Sequence, residues 1–269
     1  MRRLGTAVLG IATLVLASCG SSGGSSATSG SPSSAVATPT PTPTSTPVVS
    51  SSGSCANDYF PVVAGASWTY RTHVAQTTTV AHQTFVAITD SGFATVSRSS
   101  QGSERDRWTC APAGLADVQQ HVSGGAGSIT FGGQTFQTGV QNFHHYRCRG
   151  VTIPSHLGVG SSWTQVVRSS SRFDLAGSSY PETQVVTTAS HVIGRASVTT
   201  PAGTFDALEV QTTATTRKAI PALGQHLSAV SHGTLWVAHG VGIVESTMTN
   251  SSGFVTTTIL LAYRLPGEG

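Results

Sequence analysis

The sequence predicts an all-β protein: an antiparallel curved sheet or half-barrel built from two tandem β-meander repeats. Three observations carry this. Apolar and β-branched residues alternate with period 2 over long runs. Glycine-bearing turn signals punctuate those runs. A set of Trp, Gly, Pro and Cys marks recurs at matching spacings in the two halves of the chain.

The runs are Thr77–Thr89, Phe93–Ser99, Val185–Thr199, Thr204–Thr213 and Phe254–Tyr263. In the last, alternation places Phe254, Thr256, Thr258 and Leu260 on one face and Val255, Thr257, Ile259 and Leu261 on the other. Turns are expected at Asp90-Ser91-Gly92, Pro112-Ala113-Gly114, Pro201-Ala202-Gly203 and His239-Gly240. The best helical candidate is Arg217–Leu227, which Pro221 and Gly224 interrupt.

The repeat begins with Cys55, Pro61, Gly65, Ser67, Trp68 and Thr69. These match Cys148, Pro154, Gly158, Ser162, Trp163 and Thr164. Later in each copy, Trp108 and Gly114 match Trp236 and Gly242. The four tryptophans, Trp68, Trp108, Trp163 and Trp236, thus form two equivalent pairs and are expected to be core anchors. Repeat 1 runs over about 55–147 and repeat 2 over about 148–269. Neither copy would close a core alone. Together they make one domain of about 215 residues.

Residues 1–18 read as a signal peptide: Arg2 and Arg3, then an apolar stretch from Ala7 to Leu16. That stretch falls short of the roughly 20 residues a bilayer span needs. It ends in Leu16-Ala17-Ser18-Cys19, which resembles the bacterial lipobox. The resemblance implies diacylglyceryl transfer to Cys19, cleavage before it and acylation of the new amino terminus. Two or more acyl chains anchor stably where one does not. Residues 19–54 are Ser, Gly, Thr, Pro and Ala with few large apolar side chains, a composition that cannot offset its ordering entropy. This tether would reach about 100 Å if fully extended and roughly 30 Å as a coil. The expected location is extracytoplasmic, lipid-anchored to the cell membrane, or to the outer membrane if there is one.

Two further motifs carry a family resemblance. Cys55-Ala56-Asn57-Asp58-Tyr59-Phe60-Pro61, followed by Gly65-Ala66-Ser67-Trp68-Thr69-Tyr70, resembles the start of uncharacterised bacterial surface lipoproteins. Pro201-Ala202-Gly203-Thr204-Phe205-Asp206-Ala207-Leu208, followed by Gly240-Val241-Gly242-Ile243-Val244, is similar to segments in secreted domains of unknown function. Some of these resemble lipoprotein carriers of the LolA type, which implies a curved antiparallel half-barrel. The motifs are structural turns and bring no catalytic residue with them.

Composition excludes several classes. Charged residues are 9% of the chain, against about 25% in typical domains, and the net charge is only +3. No basic patch follows, so nucleic acid is not an expected partner. With Cys19 lipidated, Cys55, Cys110 and Cys148 leave one disulfide and one free thiol in an oxidising compartment. The repeat favours Cys55–Cys110, with Cys110–Cys148 as the alternative. Loop entropy gives about 4 kcal/mol for either and does not choose.

Ten histidines (His73, His82, His121, His144, His145, His156, His191, His226, His232 and His239) show no helical pair and no zincin spacing. They read as scattered polar sheet residues. His73 and His82 fall near one another across a hairpin, and His226, His232 and His239 crowd one strand region. Carboxylates are available at Glu104, Asp106 and Asp117, and at Asp206, Glu209 and Glu245. Glu104 and Asp106 fall on one strand face, and beside Arg105 and Arg107 they read as exposed sheet charges. No nucleophile elbow, Ser-x-x-Lys or phosphate loop is present. No catalytic, cofactor or metal residue is therefore assigned. The expectation is a monomeric, non-catalytic binding protein for an apolar ligand or an envelope component. A cell-wall or glycan hydrolase and a purely structural envelope protein are the alternatives. A deep apolar cleft would favour the first, a Ser–His contact or convergent acids in a cleft the second, and a filled core the third.

Overall fold

The computed structural model describes residues 55–266 apart from 101, 124–126, 132–133, 139–144 and 176–177, with side chains described outside 119–146 and 173–177. Residues 1–54, with the expected signal peptide, the lipobox-like Leu16-Ala17-Ser18-Cys19 and the tether, lie outside the described residues.

The chain is all-β. The first meander comprises β1 (Ser67–Val74), β2 (Thr77–Thr89), β3 (Gly92–Ser99), β4 (Gly102–Ala111) and β5 (Gly114–Ser123). A separate hairpin follows, β6 (Gly127–Phe131) with β7 (Gln134–Thr138). Next come β8 (His145–Arg149) and the short β9 (Ile153–Pro154). The second meander comprises β10 (Ser162–Leu175), β11 (Ser178–Thr200), β12 (Gly203–Ile220), β13 (Gln225–Ala238) and β14 (Gly242–Asn250), and β15 (Val255–Arg264) is the last strand described. Thirteen strands form one open antiparallel sheet in the order β8-β10-β11-β12-β13-β14-β15-β1-β2-β3-β4-β5-β9. The four predicted turns are the hairpin bends between β2 and β3, β4 and β5, β11 and β12, and β13 and β14. The Arg217–Leu227 stretch is not an α-helix. It is the end of β12, a 3-10 turn at Pro221–Leu223 and the start of β13, because Pro221 ends the ladder and Gly224 takes the left-handed turn at φ 60°.

The tryptophans occupy corresponding places in the two meanders. Trp68 and Trp163 are each the second residue of a first strand. Trp108 and Trp236 lie in fourth strands, each opposite an acid across the following hairpin: Asp117 for Trp108, Glu245 for Trp236. A register shift adjoins each of these two tryptophans. Phe93 and Phe205, which follow the matching turns, enter the same cluster.

That cluster fills the end of the curved sheet where the chain enters. Trp68, Phe85, Phe93, Leu115, Phe205 and Leu260 are buried there. Phe85 meets Trp68 and Phe93 edge-on, and Phe93 stacks on Trp108 with centroids 5.6 Å apart. A second cluster gathers Tyr59, Val192, Leu208, Val210 and Val237, with Trp163 against it. Residues 55–66 cross this end as a plug. Asp58 O accepts from Gly240 N (2.6 Å), and Asn57 Nδ2 donates to Pro154 O (2.8 Å). Trp68 Nε1 donates to Val241 O at 2.8 Å.

The two edges of the sheet are tied at the same end. From β8, paired with β10, the chain crosses to β9, paired with β5. Thr152 sits in the crossing and bonds both sides. Its N–H donates to Leu115 O (2.8 Å), and its Oγ1 accepts from Asp117 N (2.9 Å) and Gln165 Nε2 (2.6 Å). Its carbonyl accepts from Trp163 Nε1 at 3.2 Å. Gly114, at φ 140°, allows the close approach: a Cβ there would run into the Ile153 carbonyl.

Candidate functional site on the outer sheet face

The inside of the sheet is not an apolar cleft. Beyond the aromatic end the inward face turns polar and stays buried, with Thr72, Thr79, Thr95, Gln165, Ser190 and Thr212 all under a tenth exposed. These groups largely satisfy one another: Thr72 and Thr258 hydroxyls are 3.0 Å apart, and Ser190 and Thr212 2.6 Å. Farther along lies a buried ion pair, Lys218 Nζ to Glu182 Oε1 at 2.9 Å, with Ser171 Oγ donating to the same oxygen. Lys218 is the only lysine of the chain. Two buried carboxylate oxygens, Asp106 Oδ1 and Glu182 Oε2, have no hydrogen-bond partner among the described residues.

Glu104 and Asp106 are not exposed sheet charges. Strand alternation turns Arg105 and Arg107 outward and places Glu104, Asp106, Trp108 and Cys110 on the half-buried inward face. Thr95 Oγ1 donates to Asp106 Oδ2 at 3.2 Å. Burial pushes the Asp106 carboxyl up to about 8, helped by the negative charges of Glu104 and Asp117. In the second acid set, Asp206 pairs with Arg195 in the open, while Glu209 and Glu245 flank Trp236 on its two sides. Among the described residues no three His, Cys, Asp or Glu gather as a metal site.

Cys55 and Cys110 are joined in a disulfide, and Cys148 is a free, half-buried thiol. Burial raises the Cys148 pKa, against the hydrogen bond that Gln165 Nε2 donates to its sulfur. That is the setting of an unreactive cysteine. Cys19 lies outside the described residues. Trp68 is 4% exposed, and Trp108, Trp163 and Trp236 are partly buried against the two clusters.

The outer face carries the feature that composition hid. Four histidines each meet a hydroxyl directly across a strand pair through Nδ1: His82 with Thr69 (3.1 Å), His73 with Thr78 (3.1 Å), His191 with Ser162 (2.7 Å) and His232 with Thr213 (3.1 Å). His226, His232 and His239 do not converge. His239 instead packs edge-on against Tyr59, with centroids 5.5 Å apart. His121, His144 and His145 are outside the described side chains.

Register links two of these pairs into one row. Starting at Ser162, successive cross-strand partners are His191, Gln211 and Thr234. The row continues through Thr247 and Thr257 to His73 and ends at Thr78. It crosses eight adjacent strands, β10 to β15 and then β1 and β2, without one Asp, Glu, Lys or Arg. Seven inter-strand steps make it about 34 Å long. Two outer depressions lie at its ends. One, shallow and open, is lined by Ser162, His191 and Gln211 with Thr164, Ala189 and Thr213, and by Trp163 and Ser190 from beneath. The other, of about 510 Å³, holds His73, Thr78 and Thr257 with Arg71 and Ile259.

Ser162 Oγ and His191 Nδ1 are in hydrogen-bond contact, and a base histidine is ordinarily oriented by a third group. The other cross-strand neighbour of His191 is Gln211, not a carboxylate. Three of the four pairs use Thr in the same geometry. Single-residue reading of the sequence misses the row, because its members are far apart in the chain and only register brings them together. The signal was available in the alternation of outward Ser, Thr, Gln and His along each strand.

Residues 144–261 match the family model described as DUF3108-like. No curated protein matches the chain. Among solved structures, one similar chain is a protein of Bacteroides fragilis described as exported and of YmcC-like fold (13% identity, 78% of this chain and 100% of that one, TM-score 0.44). Another, from Parabacteroides distasonis, is described as a lipoprotein (14% identity, 77% and 99%, TM-score 0.40). A third is the hypothetical lipoprotein YmcC of Escherichia coli (10% identity, 75% and 86%, TM-score 0.37).

Proposed function

We propose that the protein is a lipid-anchored, extracytoplasmic, non-catalytic binding protein that holds an envelope component on the outer face of its sheet. The anchor rests on the lipobox-like Leu16-Ala17-Ser18-Cys19 and the tether behind it. The observation that carries the binding mode is the contrast between the two faces. The inside is packed, apolar at one end and internally bonded polar beyond it, whereas the two depressions and the uncharged row lie outside. An apolar ligand in a half-barrel is disfavoured by the buried Glu182, Lys218 and Gln184 on that inner face. Cysteine chemistry suits the same compartment, since a structural disulfide persists where the surroundings are oxidising.

The test is cosedimentation. Full-length protein, purified in detergent from membranes, is mixed with delipidated envelope material of the producing cells. Pelleting with that material, together with loss of fatty-acid labelling in Cys19→Ser, is the expected result. A protein that stays in the supernatant, or that is not acylated, contradicts the reading.

A further inference from the structure

Resting on the reading of the protein as lipid-anchored through its N-terminal tether, we infer that the Cys55–Cys110 disulfide is a mechanical clamp, which carries a pull on the tether past the plug and into the paired strand β4.

A protein that holds an envelope component from a lipid anchor comes under tension whenever the two move apart. That pull reaches the fold at Cys55, the first residue after the tether expected from the sequence. Without a cross-link it would act next on the plug. Residues 55–66 belong to no strand. Their polar contacts reach three different elements: Asn57 Nδ2 donates to Pro154 O in β9, Gly240 N in the β13–β14 turn donates to Asp58 O, and Arg195 Nη2 in β11 donates to Tyr59 Oη at 3.4 Å. Loaded from one end, such contacts break one after another. Phe60 would follow, leaving the rings of Phe85, Phe93 and Trp108 against which it packs.

The disulfide sends the pull elsewhere. Cys110 is the last residue but one of β4. That strand is paired on both sides, from Gly102 to Thr109 with β3 and from Ser103 to Ala111 with β5. Antiparallel hydrogen bonds lie across the strand direction. A pull away from the chain-entry end runs along β4 and loads both ladders together. Rupture under force follows the barrier to unfolding, which is higher when many bonds must go at once. Cys110 is itself held on both sides. Its N–H donates to Ser91 O at 2.9 Å, and Leu115, opposite it, accepts from Thr152 N–H at 2.8 Å. Thr152 is the residue that ties the two edges of the sheet. The cross-link is shielded where the tether joins, with Cys55 only 3% exposed. The repeat supplies an internal comparison. Cys148, the counterpart of Cys55, is a free thiol, and no tether precedes it.

The test is optical-tweezers force spectroscopy of the chain from residue 19 onward, with Cys19→Ser so that an N-terminal DNA handle replaces the acyl chains. The second handle is attached on the outer face through His232→azidophenylalanine. A control pull runs between that site and the C-terminus, so that its path avoids residue 55. Without reductant, the N-terminal pull is expected to show no release before the sheet gives way. With dithiothreitol, which takes the disulfide to two thiols, an early release of about 40 Å of contour is expected, the length of residues 55–66 drawn out. The control pull shows no such early release in either state. An early release of that length in the oxidised chain, or none after reduction, overturns the inference. So does a reduced chain that gives no folded rupture in the control pull, since the disulfide is then a condition of folding and not a route for force. Acylation and cosedimentation are read separately. If Cys19 is not acylated, the tether carries no pull and the inference goes with the anchor. If the anchor holds and the force pattern fails, the anchored reading stands without the clamp.

Discussion

Ser162 and His191 face one another directly across β10 and β11, with Oγ and Nδ1 2.7 Å apart on the exposed side of the sheet. The contact is one of four of its kind among the described residues, all between directly paired residues. A hydroxyl opposite an imidazole satisfies both groups without a charge and adds a few tenths of a kcal/mol to about 1 kcal/mol per pair. A chain with so few charged residues can in this way pair its sheet surface with neutral side chains.

The edge-to-edge tie at Thr152 makes the first prediction. Thr152→Val keeps the shape and removes Oγ1, leaving Asp117 N–H and Gln165 Nε2 without their acceptor. A loss of about 2–3 kcal/mol is expected, read as a lower urea midpoint with unchanged slope.

Lys218 and Glu182 form a buried pair at 2.9 Å, 8% and 1% exposed. Lys218→Met strands the carboxylate and is expected to cost roughly 3–5 kcal/mol. Adding Glu182→Gln to that variant is expected to recover most of the loss. A double variant as unstable as the single one shows that the pair does not couple.

Asp106 gives a pH dependence with a definite sign. Its carboxyl is raised to about 8 in the folded protein, far above the unfolded value near 4. The folded state therefore binds the proton more tightly. The stability this contributes is fully present below about pH 4 and is lost as pH rises to about 8. Asp106→Asn, which mimics the neutral acid, is expected to remove that downward slope and to be the more stable protein at pH 9. Urea midpoints at pH 5, 7 and 9 for both proteins check it.

Reduction of Cys55–Cys110 opens a cross-link between residues 55 positions apart. It is expected to lower stability by about 2–4 kcal/mol. Cys148→Ser is expected to change it little, since Cys148 makes no cross-link. Thermal unfolding with and without reductant separates the two.

Much of the architecture was legible in the sequence for local reasons. The run Thr77–Thr89 is β2 residue for residue, and Gly92, Gly114 and Gly203 each open a strand at the predicted turns. Trp108 and Trp236 each stand six residues before a turn glycine, Gly114 and Gly242, and each lies in the fourth strand of its meander. Glu104 and Asp106 were misread because their burial depends on which way β4 turns its alternation, which the flanking arginines do not reveal. Arg217–Leu227, the best helical candidate, is two strand ends joined by a 3-10 turn, where Pro221 and Gly224 interrupt any helical period. The outer row was beyond local reading altogether, since His73 and Thr257 become neighbours only when β15 pairs with β1. Lys218 stood out as the only lysine, but its partner Glu182 is set by the register of three strands.

Whether the protein works from its outer face or its inside is tested most directly by native mass spectrometry of the full-length chain, released unreduced from detergent. A single species at the mass of the acylated chain less two hydrogens, with nothing that extracts into organic solvent, is the expected spectrum. A non-covalent adduct that leaves on denaturation and partitions into organic solvent would place an apolar ligand inside the sheet and contradict the outer-face reading.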